Sequence, residues 1–129
     1  MRTKLFILLA ILFGATTWVS AQTSFSCSSF ETCLLNEDLE PVNCVETKKP
    51  CLFVVNEAET VITHTSEEDK IIFYVTDRES DESMIAYKVK SEEGEDFLFM
   101  FMLDGEEIMM YFEDEDGDFL VTFYVKAIF

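Results

Sequence analysis

Four cysteines, a single histidine and 26 carboxylates are the side chains of this 129-residue chain whose chemistry could define a function. Cys27, Cys33, Cys44 and Cys51 share one mostly polar segment that also carries Pro41 and Pro50. An even set of cysteines in an exported chain reads as disulfides, here two, with the connectivity open. Zinc is the weaker reading, because the C-x2-C pairs of structural sites are missing and one histidine adds little. Thiol redox catalysis lacks its C-x-x-C motif.

The carboxylates raise calcium, a hard cation that takes six to eight oxygens. Asp114-Glu115-Asp116-Gly117-Asp118 looks like part of an EF-hand loop, but placing Gly117 sixth puts Phe112 first and Phe123 at the bidentate acid, so that motif is rejected. A looser calcium site using Glu93, Asp96, Asp114, Asp116 and Asp118 stays open, and no other cofactor is expected. His64, set among threonines, reads as a surface strand residue rather than a general base. No G-x-S-x-G is present, and Gly94, Gly105 and Gly117 each belong to a turn rather than to a phosphate-cradling loop. The chain reads as non-enzymatic.

These groups need a scaffold, and the N-terminus says where that scaffold works. Arg2 and Lys4 precede an apolar run over residues 5–13, and the stretch ends in Val19-Ser20-Ala21. That order of charge, apolar core and small residues is a secretory leader, cleaved after Ala21, and the core is too short for the roughly 20 residues of a spanning helix. The remaining 108 residues keep seven cations against 26 carboxylates, a formal charge of −19. Such a charge excludes direct nucleic-acid binding, which needs a basic footprint. A secreted or periplasmic protein without a membrane span is expected.

From residue 52 onward, runs rich in Phe, Val, Ile and Tyr alternate with acidic, glycine-bearing turns. Strands are expected at 52–56, 60–65, 70–76, 84–90, 97–103, 106–112 and 119–128. They form an all-β, antiparallel up-and-down meander, curled or a partly open barrel. Residues 22–51 form an irregular, disulfide-stapled cap, and any helix is confined to it. The turns set the register. Asp104-Gly105, read as a two-residue type I′ turn, pairs Phe101 with Ile108 and Phe99 with Met110. Asp116-Gly117, read the same way, pairs Phe112 with Val121 and Met110 with Phe123. Glu92-Glu93-Gly94 as a three-residue loop sets Val89, Tyr87 and Ile85 beside Phe97, Phe99 and Phe101.

One face then collects Ile71, Phe73, Val75, Ile85, Tyr87, Val89, Phe97, Phe99, Phe101, Ile108, Met110, Phe112, Val121, Phe123 and Val125, which is the core. The other carries a stripe of Leu98, Met100, Met102, Met109, Tyr111 and Tyr124, with Glu107 facing Lys126 at its margin. A solvated face should read polar throughout. Either the N-terminal cap covers the stripe, the favoured reading, or the stripe takes a small apolar ligand. In a meander alternate turns share an end, so the turns at 67–69, 92–96 and 113–118 gather twelve of the 26 carboxylates at one pole. The competing uses of that pole are a basic protein partner, calcium, and solubility alone.

The segment from Val55 to Val75, with Glu59-Thr60-Val61-Ile62-Thr63-His64-Thr65 and then Lys70 to Val75, resembles a strand pair in small exported bacterial β-proteins of no assigned activity. The resemblance implies no catalytic residue. Lipocalins are disfavoured, since their Gly-x-Trp has no counterpart once Trp18 leaves with the leader. Small periplasmic lysozyme inhibitors are similar in size and disulfide use but share no short motif. The chain is expected to be an exported binding or interaction module that uses the acidic pole or the Met/Tyr face. The alternative is a structural or envelope-associated protein.

Overall fold

The computed structural model describes residues 22–129, so the expected leader lies outside the described residues. Nine strands follow in chain order: β1 (Thr23–Leu35), β2 (Pro41–Thr47), β3 (Cys51–Val55), β4 (Val61–Ser66), β5 (Lys70–Ser80), β6 (Met84–Ser91), β7 (Asp96–Met102), β8 (Glu107–Asp114) and β9 (Gly117–Ile128). Each neighbour in the run β3 to β9 pairs antiparallel with the next. β1 pairs with both β3 and β9, which closes an eight-stranded barrel, and β2 lies on the free edge of the outer half of β1.

The seven expected strands are β3 to β9, and their inward side chains are those the alternation assigns. Phe53, Ile62, Phe99 and Ile108 are almost wholly excluded from solvent, and every expected core residue either belongs to the buried cluster or packs against it. Edge-to-face contacts knit the interior: Phe53 meets Phe123 at 4.8 Å and Phe73 meets Phe99 at 5.0 Å between ring centres. Such offset geometries suit the aromatic quadrupole. A barrel of this strand number is just wide enough for side chains to fill, and here rings fill it.

The N-terminal segment departs from expectation. It is not an irregular cap but two strands, with β1 completing the barrel wall through ten partner pairs with β9. Phe25 and Cys27 point inward with strand alternation, a bulge at Ser28 then breaks the period, and Phe30 becomes the next inward ring, 5.5 Å from Phe123. A bulge inserts one unpaired residue and so restores the inward face one position late.

Two turns also differ. At Asp104-Gly105 only Gly105 has positive φ, at 77°, so the turn is not type I′. It runs from Met102 to Gly105, closed by the Gly105 N–H donating to the Met102 carbonyl at 3.0 Å. The longer loop leaves the register unchanged, with Phe101 still opposite Ile108. Between β8 and β9 the connection is Glu115-Asp116 rather than Asp116-Gly117, and Phe112 faces Phe119 where Val121 was expected. The shift is two residues, the side-chain period of a strand, so every face survives. One contact does not: Glu107 now faces Tyr124, not Lys126.

Candidate functional site

Strand directions place the turns after β4, β6 and β8 at one end of the barrel, as the meander requires. β1 is antiparallel to β9 with Leu35 opposite Asp118, so the β1–β2 turn reaches that end too. Glu37, Asp38 and Glu40 therefore join the twelve expected carboxylates, making fifteen of 26 on four turns and the strand ends that flank them. All are solvent-exposed except Asp118, which is half-buried. Of these fifteen, only Glu68, with Lys49 at 3.2 Å, and Asp96, with Lys90 at 2.7 Å, form ion pairs among the described residues.

Each turn is held by its own backbone chemistry. Asn36 Oδ1 accepts the N–H groups of Asp38 and Glu40, both at 2.9 Å. Asp114 Oδ1 accepts the Asp116 N–H at 2.7 Å. Gly94, at φ 85°, closes the three-residue loop after β6 with its N–H on the Ser91 carbonyl. The β1–β2 hairpin is pinned by the Cys33–Cys44 disulfide. The acidic side chains thus ride on turns with fixed backbones.

Beside the β4–β5 and β6–β7 turns at this end opens a cavity of about 460 Å³. Ile71, Phe73, Phe97, Met110 and His64 line its apolar part, and Asp69, Glu92, Glu93 and Glu95 line it too, together with Ser91 and the cation Lys70. His64 is not a surface residue: its ring stacks on Phe53 at 4.5 Å and meets the edge of Phe123 at 5.5 Å. Alternation along β4 explains this, since His64 shares the inward face with Ile62. Its buried Nε2 has no hydrogen-bond partner.

The five residues considered for calcium are separated in role. Glu93 lines the cavity, Asp96 is engaged by Lys90, Asp114 caps its own turn, Asp116 occupies that turn, and Asp118 lies on β9. Among the described residues the one set of three metal-capable side chains with donor atoms within 4.8 Å of one another is Glu31, Cys33 and Cys44. Two of those are already joined as a disulfide.

The Met/Tyr stripe is on the outer wall as expected. Leu98 faces Tyr111 and Met100 faces Met109 across β7 and β8, and Leu98, Met100, Met102, Met109, Tyr111 and Tyr124 are all half-buried. The N-terminal segment does not fold over them, because it is occupied in closing the wall. Of the four cysteines, Cys33 and Cys44 are joined, while Cys27 and Cys51 are buried thiols rather than a second disulfide.

A further polar cluster lies at the opposite end and has no sequence signal, since its members are 19 and 28 residues apart. Arg78 Nε donates to Glu59 Oε1 at 2.8 Å, and the Tyr87 hydroxyl donates to the same oxygen at 2.6 Å. Burial pushes the Glu59 carboxyl up, but the hydrogen bonds from Tyr87 and Arg78, with the Arg78 charge, outweigh it and hold the pKa below the ordinary range. Burial, then the bond to Glu59, pushes Tyr87 up to about 12.

Fold and site together define a class: a closed antiparallel barrel with an aromatic-filled interior and a strongly acidic end. Compared with models of known protein families, with curated proteins and with solved structures, the chain matches none.

Proposed function

We propose that this chain is an exported, non-enzymatic binding module that presents the acidic end of its barrel to a basic protein surface. One observation carries the proposal: fifteen carboxylates lie on four turns at one end of the barrel or on the strand ends that flank them, and thirteen of them are outside any ion pair among the described residues. Like charges held this close repel one another and oppose compaction, and a cationic partner relieves that repulsion. Complementary fields of this kind also steer encounter and raise association rates. The disulfide-pinned hairpin and capped turns favour a preformed surface, which lowers the ordering cost of binding.

The leader pattern over residues 1–21 and the Cys33–Cys44 disulfide support work in an oxidising, secreted or periplasmic setting. A basic partner is preferred to calcium because, among the described residues, no three carboxylates bring their oxygens within 4.8 Å of one another. The alternative is a structural or envelope-associated protein whose charge serves solubility alone.

A lysine-rich peptide is a direct probe. Association should be measurable near physiological ionic strength and should weaken steeply as NaCl rises through the range where screening shortens from about 10 Å to about 3 Å. Absence of binding at low salt contradicts the proposal.

A further inference from the structure

Cys27 and Cys51 are partner residues in the pairing of β1 with β3, and both are buried. Directly opposed residues of an antiparallel pair hold their β-carbons about 4.5–5.5 Å apart, so a small adjustment reaches the about 3.5–4.5 Å of a disulfide. Their place in the fold gives such a bond a purpose. Cys27 is the last residue of β1 that pairs with β3; past it, β1 runs on to Leu35 with β2 on that edge. The two sulfurs therefore sit at the fork where the acidic hairpin leaves the barrel. That seam has five partner pairs, against ten between β1 and β9.

The surroundings divide the labour. A hydrogen bond from Cys27 lowers the pKa of Cys51 against the opposing effect of burial, and His64 lowers it further. The same bond, together with burial, raises Cys27, which keeps its proton.

We propose that Cys27 and Cys51 are a redox modification site, oxidised by an incoming disulfide into a bond that clasps β1 to β3 at the base of the hairpin. The Cys51 thiolate attacks one sulfur of R–S–S–R, breaking that bond, expelling RS⁻ and leaving a mixed disulfide on Cys51. Cys27 then loses its proton and attacks the Cys51 sulfur, forming Cys27–Cys51 and expelling the second RS⁻. The two cysteine protons end on the two leaving thiolates, so two thiols are oxidised and one disulfide is reduced to two thiols. The new bond encloses the loop that already contains Cys33–Cys44, giving nested connectivity. Because both sulfurs are buried, exchange proceeds through opening of the five-pair seam.

The test uses the full chain carrying Cys33→Ser and Cys44→Ser, which leaves only the two cysteines in question. The protein is equilibrated with oxidised glutathione, denatured in the presence of an alkylating reagent, and weighed and peptide-mapped by mass spectrometry. The expected product is about 2 Da lighter than the reduced chain, takes no alkyl group, and yields a peptide joining Cys27 to Cys51. Adding Cys27→Ser should instead leave glutathione attached to Cys51. Two alkylated cysteines after equilibration overturn the proposal. Should the doubly substituted chain fail to fold, the intact chain is mapped in the same way, and linkage of Cys27 or Cys51 to Cys33 or Cys44 overturns it equally.

Discussion

Tyr87 and Glu59, 28 residues apart, are joined by a 2.6 Å hydrogen bond at the end of the barrel opposite the acidic turns. Glu59 stands at φ 57°, a left-handed conformation normally left to glycine. It completes the turn after β3, with its N–H on the Asn56 carbonyl at 3.0 Å. The carboxylate, bonded by Tyr87 and Arg78, holds a residue where the backbone alone would favour another. Glu59→Gly suits that φ and isolates the loss of the carboxylate. It should cost about 1–2 kcal/mol in urea unfolding, because it strands the buried Tyr87 hydroxyl. A more stable variant would show that the carboxylate anchors nothing.

The same pair sets two pH limits. The Glu59 pKa is lowered in the fold, so its contribution is present above the unfolded carboxyl value and is lost as pH falls through the folded one. Tyr87 is raised to about 12, so its contribution is present below the unfolded tyrosine value, about 10, and is lost as pH rises from there towards 12. Unfolding midpoints followed across that alkaline window should fall, and Tyr87→Phe should flatten the fall. An equal slope in both proteins contradicts the assignment.

Phe53 is the hub of the interior, within 4.8 Å of Phe123 and 5.7 Å of Phe99 between ring centres, and stacked on His64. It is fully buried. Phe53→Ala should cost about 3–5 kcal/mol, a large part of the about 5–15 kcal/mol by which such domains are stable. Phe53→Leu, which keeps most of the volume, should cost clearly less in the same denaturation experiment.

Two glycines of like φ separate backbone strain from crowding. A Cβ on Gly94, φ 85°, meets open space, whereas one on Gly105, φ 77°, comes within 2.9 Å of Ile128 Cδ1. Gly94→Ala should cost on the order of 1 kcal/mol from conformation alone. Gly105→Ala should exceed it by a margin that Ile128→Ala removes. Equal costs would show that Ile128 yields freely.

What the sequence discloses follows from what repeats locally. The seven strands from Cys51 onward are β-branched and aromatic runs broken by acidic turns, three of them glycine-bearing. The turns set which alternate residues share a face, so the faces are readable even where the β8–β9 register slips by two. β1 is not readable in this way. Its inward Phe25 and Cys27 are interleaved with serines, and the bulge at Ser28 moves Phe30 off the period. Missing β1 also hides the fourth acidic turn, because Glu37, Asp38 and Glu40 reach the pole only once β1 lies against β9. His64 turns inward for a reason the local sequence does carry, its spacing of two from Ile62, but its threonine neighbours read as a surface. The Glu59–Arg78–Tyr87 cluster depends on Arg78 pairing with Tyr87 across β5 and β6, past the irregularity at Thr76, and on the β3–β4 turn lying beside them, which has no local trace.

The claim that the acidic end is the binding surface is tested most directly by moving the lost charge rather than changing its amount. Asp114→Asn, Asp116→Asn and Asp118→Asn together remove three charges from that end, while Asp77→Asn, Glu79→Gln and Glu82→Gln remove three from β5 and the β5–β6 turn. Affinity for the lysine-rich peptide, measured at one fixed ionic strength, should fall about tenfold or more for the first variant and little for the second. Equal losses in the two would show that bulk charge, not the acidic end of the barrel, governs binding.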